Sequence, residues 1–92
     1  MEHLYSLLET LNTQKNVDVI EQSGIKEFSV KLRNPIVVEN IQLLNLVGEK
    51  NKTKFKQSKN HLKIDVSSCQ SGIFLLKIFS EQGVECYKIT KN

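Results

Sequence analysis

Residues 62–92 run LKIDVSSCQSGIFLLKIFSEQGVECYKITKN, with apolar and polar side chains alternating around two short turns. Leu62, Ile64 and Val66 alternate with Lys63 and Asp65. Phe74, Leu76 and Ile78 recur at every second position, with Leu75 and Phe79 on the other face, and Tyr87 and Ile89 close the set. A period of two sends successive side chains to opposite faces of a strand. Gln82-Gly83 between two such runs predicts a tight hairpin. A turn at those two residues pairs Ile78 with Tyr87 and Leu76 with Ile89, and it sets Cys86 opposite Phe79. It also places Lys77 opposite Lys88, a mildly unfavourable like-charge pair that solvent exposure or a partner's acidic surface would relieve.

The same period runs through the chain from Asn16 onward. Val17 and Val19 alternate with Asp18, and Ser23-Gly24 marks a turn. Phe28, Val30 and Leu32 alternate with Ser29 and Lys31. Pro35 has no N–H for a ladder, so Asn34-Pro35 belongs in a loop or at an edge. Ile41 and Leu43 flank Gln42, residues 45–48 punctuate, and 52–56 read as a polar strand with Phe55 on the face opposite its lysines. About seven short strands at roughly ten-residue spacing, with no crossover helices, predict an all-β, Ig-like antiparallel β-sandwich. Its expected core is Phe28, Val30, Leu43, Leu62, Ile64, Phe74, Leu76, Ile78 and Ile89.

Residues 2–11 break the pattern. Leu4, Leu7, Leu8 and Leu11 recur at helical spacing, and Asn12 can end the element. A helix of about ten residues is marginal alone. It is either a linker or the tail of a preceding domain, or a helix that covers one open face of the sandwich. The expected organisation is therefore a helical segment or linker over 1–15 and a sandwich over 16–92.

Ninety-two residues, 39% hydrophobic and 25% charged, fit one modest globular domain. No apolar run approaches the roughly 20 residues of a membrane-spanning helix. No basic stretch followed by an apolar core opens the chain, so no signal peptide is expected. The net charge of +3 is a weak basic bias, supplied largely by Lys50, Lys52, Lys54, Lys56, Lys59 and Lys63. Without interleaved aromatic residues these lysines read as a solvated face that blunts a sheet edge, not as a nucleic-acid groove.

Cys69 and Cys86 are too few for a disulfide framework or a cysteine zinc site, and the hairpin spacing holds them too far apart to bridge. Both are expected to be unpaired. His61 and Cys69 have no third group to orient a base, and His3 and His61 lack metal-ligand spacing. Asp65 before Ser67-Ser68 reads as an Asx or Ser turn. No glycine-rich phosphate loop occurs. The expectation is a protein with no catalytic residues, cofactor or metal.

Three segments in order carry a family resemblance. They are IQLLNLVGEK with Asn45 and Gly48, IDVSSCQSGIFLLKI with Ser71, Gly72, Ile73 and Phe74, and YKITKN with Lys88 and Lys91. Over about residues 17–92 the chain resembles the C-terminal sorting domain of Bacteroidota type IX secretion cargo. It differs where IEQSGIKEF, with Gln22, Ser23 and Gly24, stands in place of the family's usual Tyr-Pro-Asn-Pro. The resemblance implies a β-sandwich at a cargo's C-terminus, handled by an outer-membrane translocon, a shuttle protein and a sortase. It implies a secreted or cell-surface destination reached through the periplasm, for a domain that is part of a longer cargo. A stand-alone Ig-like adhesion or protein-interaction module is the alternative. Gly72, Lys88 and Lys91 are the candidate recognition residues. Plain turn chemistry is the simpler account of Gly72, and Lys88 and Lys91 are expected to face solvent.

Overall fold

The computed structural model describes residues 16–92. The helix expected over residues 2–11 lies outside the described residues. Eight strands follow one another: β1 (Val17–Gly24), β2 (Glu27–Leu32), β3 (Val38–Leu44), β4 (Lys50–Asn51), β5 (Lys54–Ser58), β6 (His61–Asp65), β7 (Gly72–Ser80) and β8 (Gly83–Lys91). They form two four-stranded sheets, ordered β1-β2-β6-β5 and β4-β3-β7-β8, and every pairing is antiparallel. One strand more than the expected seven arises because the polar run at 50–58 divides. Lys50–Asn51 pairs with β3, whereas Lys54–Ser58 pairs with β6 in the other sheet.

One apolar core joins the sheets. Phe28, Val30, Leu32, Leu62 and Ile64 enter from the first, and Val38, Ile41, Leu43, Phe74, Leu76, Ile78 and Ile89 from the second. All nine residues expected in the core are buried there. Ile36, Val66 and the Cys69 side chain close it from the loops, and Ile20, Phe55 and Tyr87 pack against its margin.

Strict alternation fails at two strand beginnings, and bulges explain both. The ladder between β1 and β2 shifts between Val17 and Val19. One extra residue resets the phase, so Val17 and Ile20 turn inward while Val19 stays 44% exposed. The same shift between Val38 and Asn40 lets Val38 and Ile41 both reach the core. A bulge leaves no mark in the hydrophobic pattern except the broken phase.

The terminal hairpin differs from its expected register. Ser80 pairs with Gly83, so the two-residue turn is Glu81-Gln82, and Gly83 opens β8. Gly83 has φ +120°, a backbone setting that favours glycine. The pairs are therefore Phe74 with Ile89, Leu76 with Tyr87 and Ile78 with Glu85. A slip of two positions preserves which face each side chain occupies, so both registers point the same residues into the core. The expected Lys77–Lys88 pair does not form: Lys77 lies opposite Cys86, and Lys88 opposite Leu75. Cys86 is accordingly not opposite Phe79, whose partner is Val84.

Candidate functional site

The three segments singled out in the sequence converge at one end of the second sheet. The turn at 45–48 follows β3. Asn45 Oδ1 accepts from the N–H of Val47 at 3.0 Å and of Glu49 at 2.9 Å, while its Nδ2 donates to Glu49 Oε1 at 2.8 Å. The Gly48 N–H donates to the Asn45 carbonyl at 3.0 Å, with Gly48 at φ +90°. Asparagine and glycine three apart thus build an Asx-type turn. This turn displays Leu46 at 69% and Val47 at 79% exposure. Leu46 and Val47 line a shallow depression whose opposite wall is Ser68, Gln70, Ser71 and Gly72.

That opposite wall begins with the β6–β7 loop. Asp65 Oδ1 accepts from the Ser67 N–H at 2.8 Å, the Asx turn expected there. Hydrogen bonds from Ser67 hold the Asp65 carboxyl below the usual carboxylate range. The Cys69 N–H donates to the Val66 carbonyl at 3.0 Å, which folds the loop back over the core. Burial pushes the Cys69 thiol up, partly countered by the Lys91 charge. Cys69 and Cys86 are both free.

Gly72 and Lys91 are direct partners in the β7–β8 ladder. Gly72 has φ +149°, and a Cβ built there would meet nothing within 4 Å. The glycine is needed for backbone conformation and not for room. Lys91 does not face solvent as expected. It is 8% exposed, and its Nζ donates to the Val66 carbonyl at 2.9 Å and to the Cys69 carbonyl. Burying an ammonium is costly unless its donors are satisfied. These carbonyls supply the acceptors, because the loop points them at the end of β8. Position 91 shares the inward phase of Tyr87 and Ile89, so the alternation itself foretold this burial. The general preference of lysine for water masked it. Lys88 lies on the opposite face, exposed beside Leu75. The structure thus brings Gly72 and Lys91 together and leaves Lys88 apart.

β8 is the outer strand of its sheet, and side chains clip one end of it to β1 of the other sheet and the other end to Asn16, the residue before β1. At the C-terminal end the Asn92 N–H donates to Gln22 Oε1 at 2.9 Å. At the hairpin end, buried Asn16 is the hub. Its N–H donates to both Glu85 carboxylate oxygens at 3.1 Å, and its Nδ2 to Glu85 Oε2 at 2.7 Å and to Gln82 Oε1 at 3.3 Å. Asn34 Nδ2 donates to Asn16 Oδ1 at 2.8 Å. The Tyr87 hydroxyl donates to Glu85, and burial, aided by that carboxylate, raises its pKa. The sequence reading missed Asn16 and Glu85, because a polar cluster built from residues 69 apart leaves no local pattern.

Among the described residues no helix is long and apolar enough to cross a membrane. No curated protein and no solved structure matches the chain. Residues 24–92, three quarters of the chain, match the family described as the secretion system C-terminal sorting domain. The matched span begins at the end of β1 and takes in β2 through β8, including the three convergent segments. The chain therefore belongs to the secretion system C-terminal sorting domains, the signals that direct type IX cargo.

Proposed function

We propose that this sorting signal is a non-catalytic, Ig-like address domain, read at the end where the 45–48 turn, the Ser71-Gly72 step and the tail of β8 meet. Its partners on this reading are the outer-membrane translocon, a shuttle protein and a sortase of the type IX system. Its destination is the medium or the cell surface, for cargo joined ahead of it. The family match over residues 24–92 carries the reading. Leu46 and Val47 support the choice of end: both are strongly exposed apolar side chains that the core does not use. An exposed apolar patch beside polar backbone is a common recognition surface. β8, as an outer strand, also offers backbone groups for strand addition. On this reading Gly72 and Lys91 act by holding the end in shape, and Lys88 is a direct contact.

Export of a fusion tests this. The whole chain placed behind a periplasmic reporter, in a type IX-competent bacterium, is expected to carry the reporter to the surface or medium. Leu46→Asp/Val47→Asp is expected to abolish that transfer at unchanged melting temperature. Retention of the folded wild-type fusion in the periplasm would favour the interaction module. Normal export of the double variant would move recognition away from this end.

A further inference from the structure

The depression between the 45–48 turn and the β6–β7 loop has three features that the core does not need. None of the residues lining it is charged, although 25% of the chain is. Asn51 lines it, and the Asn51 Nδ2 is shielded from solvent yet meets no acceptor among the described residues. Buried polar groups without a partner are uncommon in folded proteins. The sheet is also open at this point. The ladder of β7 with β3 stops at Leu44–Leu75, while its ladder with β8 runs on to Gly72–Lys91. Residues 72–74 therefore have a strand neighbour on one side only. Alternate residues of an antiparallel strand turn both N–H and C=O to the same side, so at least one of the three offers both groups to the open side. Gly72 adds no side chain there, as is common where another backbone approaches a strand closely.

We propose that this depression binds an extended, uncharged peptide segment of a partner protein, which adds to the open side of β7 at residues 72–74 and lays an apolar side chain against Leu46 and Val47. The inference rests on the reading of this end as the recognition end, and it names what that end takes. Charge selects the class. A phosphate, a nucleic acid or an acidic chain would meet no cation on these walls, and nearby Lys91 is committed to the Val66 and Cys69 carbonyls. The open strand selects peptide among uncharged ligands. An extended chain brings the N–H and C=O groups that β3 does not supply there, and strand addition draws affinity from main-chain bonds and specificity from alternate side chains. A carbonyl of the same segment gives Asn51 Nδ2 its acceptor. The volume, about 440 Å³, suits a short segment and not a folded domain.

The test is an NMR titration of the isotope-labelled full chain with capped pentapeptides that alternate threonine with valine, leucine or phenylalanine. Saturable shifts are expected at residues 46, 47 and 72–74 and at the Asn51 side-chain amide. Two further versions of the best peptide carry N-methyl groups at its even or at its odd positions. One of the two is expected to bind about tenfold more weakly or worse, because it loses the donors that face β7. Asn51→Leu is expected to weaken binding about fivefold with no fall in melting temperature, a pattern that a merely structural Asn51 would not give. No saturable binding by any of the peptides would overturn the proposal. So would shifts confined to the outer edge of β8, equal affinity for the parent and both methylated forms, or unchanged binding by Asn51→Leu. Purified protein is used throughout, so the result is independent of export. Peptide binding here, together with normal export of Leu46→Asp/Val47→Asp, would remove the recognition reading and keep the site. Loss of export by that variant, with no peptide bound by the wild type, would do the reverse.

Discussion

The two sheets present the same kind of inner face and opposite outer faces. Inside, Phe28, Val30, Leu62 and Ile64 of the first meet Leu43, Phe74, Leu76 and Ile78 of the second in one core. Outside, the first sheet carries Lys54, Lys56, Lys63, Glu27 and Asp65, with Lys54 paired to Asp65 and Lys56 to Lys63 across the ladder. The second carries Leu44, Ile73, Leu75, Phe79 and Val84, with Lys77 and Lys88 among them. The lysines sit on and beside edge strand β5, where charge discourages pairing with another chain. Period-two patterning fixes what faces the core. What the far face is for must be read from the far face itself, and only one of the two is built for water.

The inner faces should be energetically equivalent if the core is one unit. Phe74 is 6% exposed and Phe28 is 3% exposed. Phe74→Ala and Phe28→Ala are each expected to cost about 3–5 kcal/mol, the usual range for emptying a buried phenylalanine site. For a domain this small that removes most of the stability. Equilibrium denaturation should show a single transition in both variants. A large loss in one and a small loss in the other, or two transitions, would separate the sheets.

Lysine gives the next contrast, because the chain uses it both inside and outside. Lys91→Ala leaves the Val66 and Cys69 carbonyls without their donor and is expected to cost about 1–3 kcal/mol. Lys88→Ala, on the outer face of the same strand, is expected to stay within about 0.5 kcal/mol. Chemical denaturation of the two variants side by side decides it. Equal effects would place Lys91 in solvent after all.

These cases show how much of the molecule was legible in advance. The inward set was legible because alternation at 28–32, 62–66 and 74–78 is unbroken in these strands. The family was legible because its segments are local and ordered. The hairpin register lies two positions from the one the pattern suggests, since Gly83 looks like a turn residue but serves as the first residue of β8. The Lys91 anchor and the Asn16–Glu85 cluster were missed for a different reason. The carbonyls that hold Lys91 lie 25 and 22 residues away in sequence, Asn16 and Glu85 lie 69 apart, and residue type alone argued for solvent.

Glycine conformation comes next in size. Gly72 and Gly24 both have open space where a Cβ would stand, but only Gly72 has a positive φ, at +149°. Gly72→Ala is expected to cost about 1–2 kcal/mol from backbone strain alone. Gly24→Ala should be near neutral. Thermal melts distinguish them. An equal cost at both positions would mean that strain at 72 is not what selects glycine at the start of β7.

The smallest expected effect lies on the charged outer face. Lys56 sits directly across from Lys63. Lys63 Nζ also lies 3.8 Å from Glu27 Oε2, with the two side chains 71% and 40% exposed. Like charges in register are mildly unfavourable, by a few tenths of a kcal/mol. Lys56→Glu converts the pair to opposite charges, and the gain is expected to be about 0.2–0.5 kcal/mol at low salt. Glu27 already shares the same lysine, which holds the gain to the lower part of that range. Most of it should vanish near 1 M salt, where screening acts within about 3 Å. Denaturation at low and high ionic strength measures this directly. A salt-independent gain would mean that residue 56 acts through packing or strand propensity. The lysine face would then be more than a solvated one, and the contrast between the two outer faces would narrow.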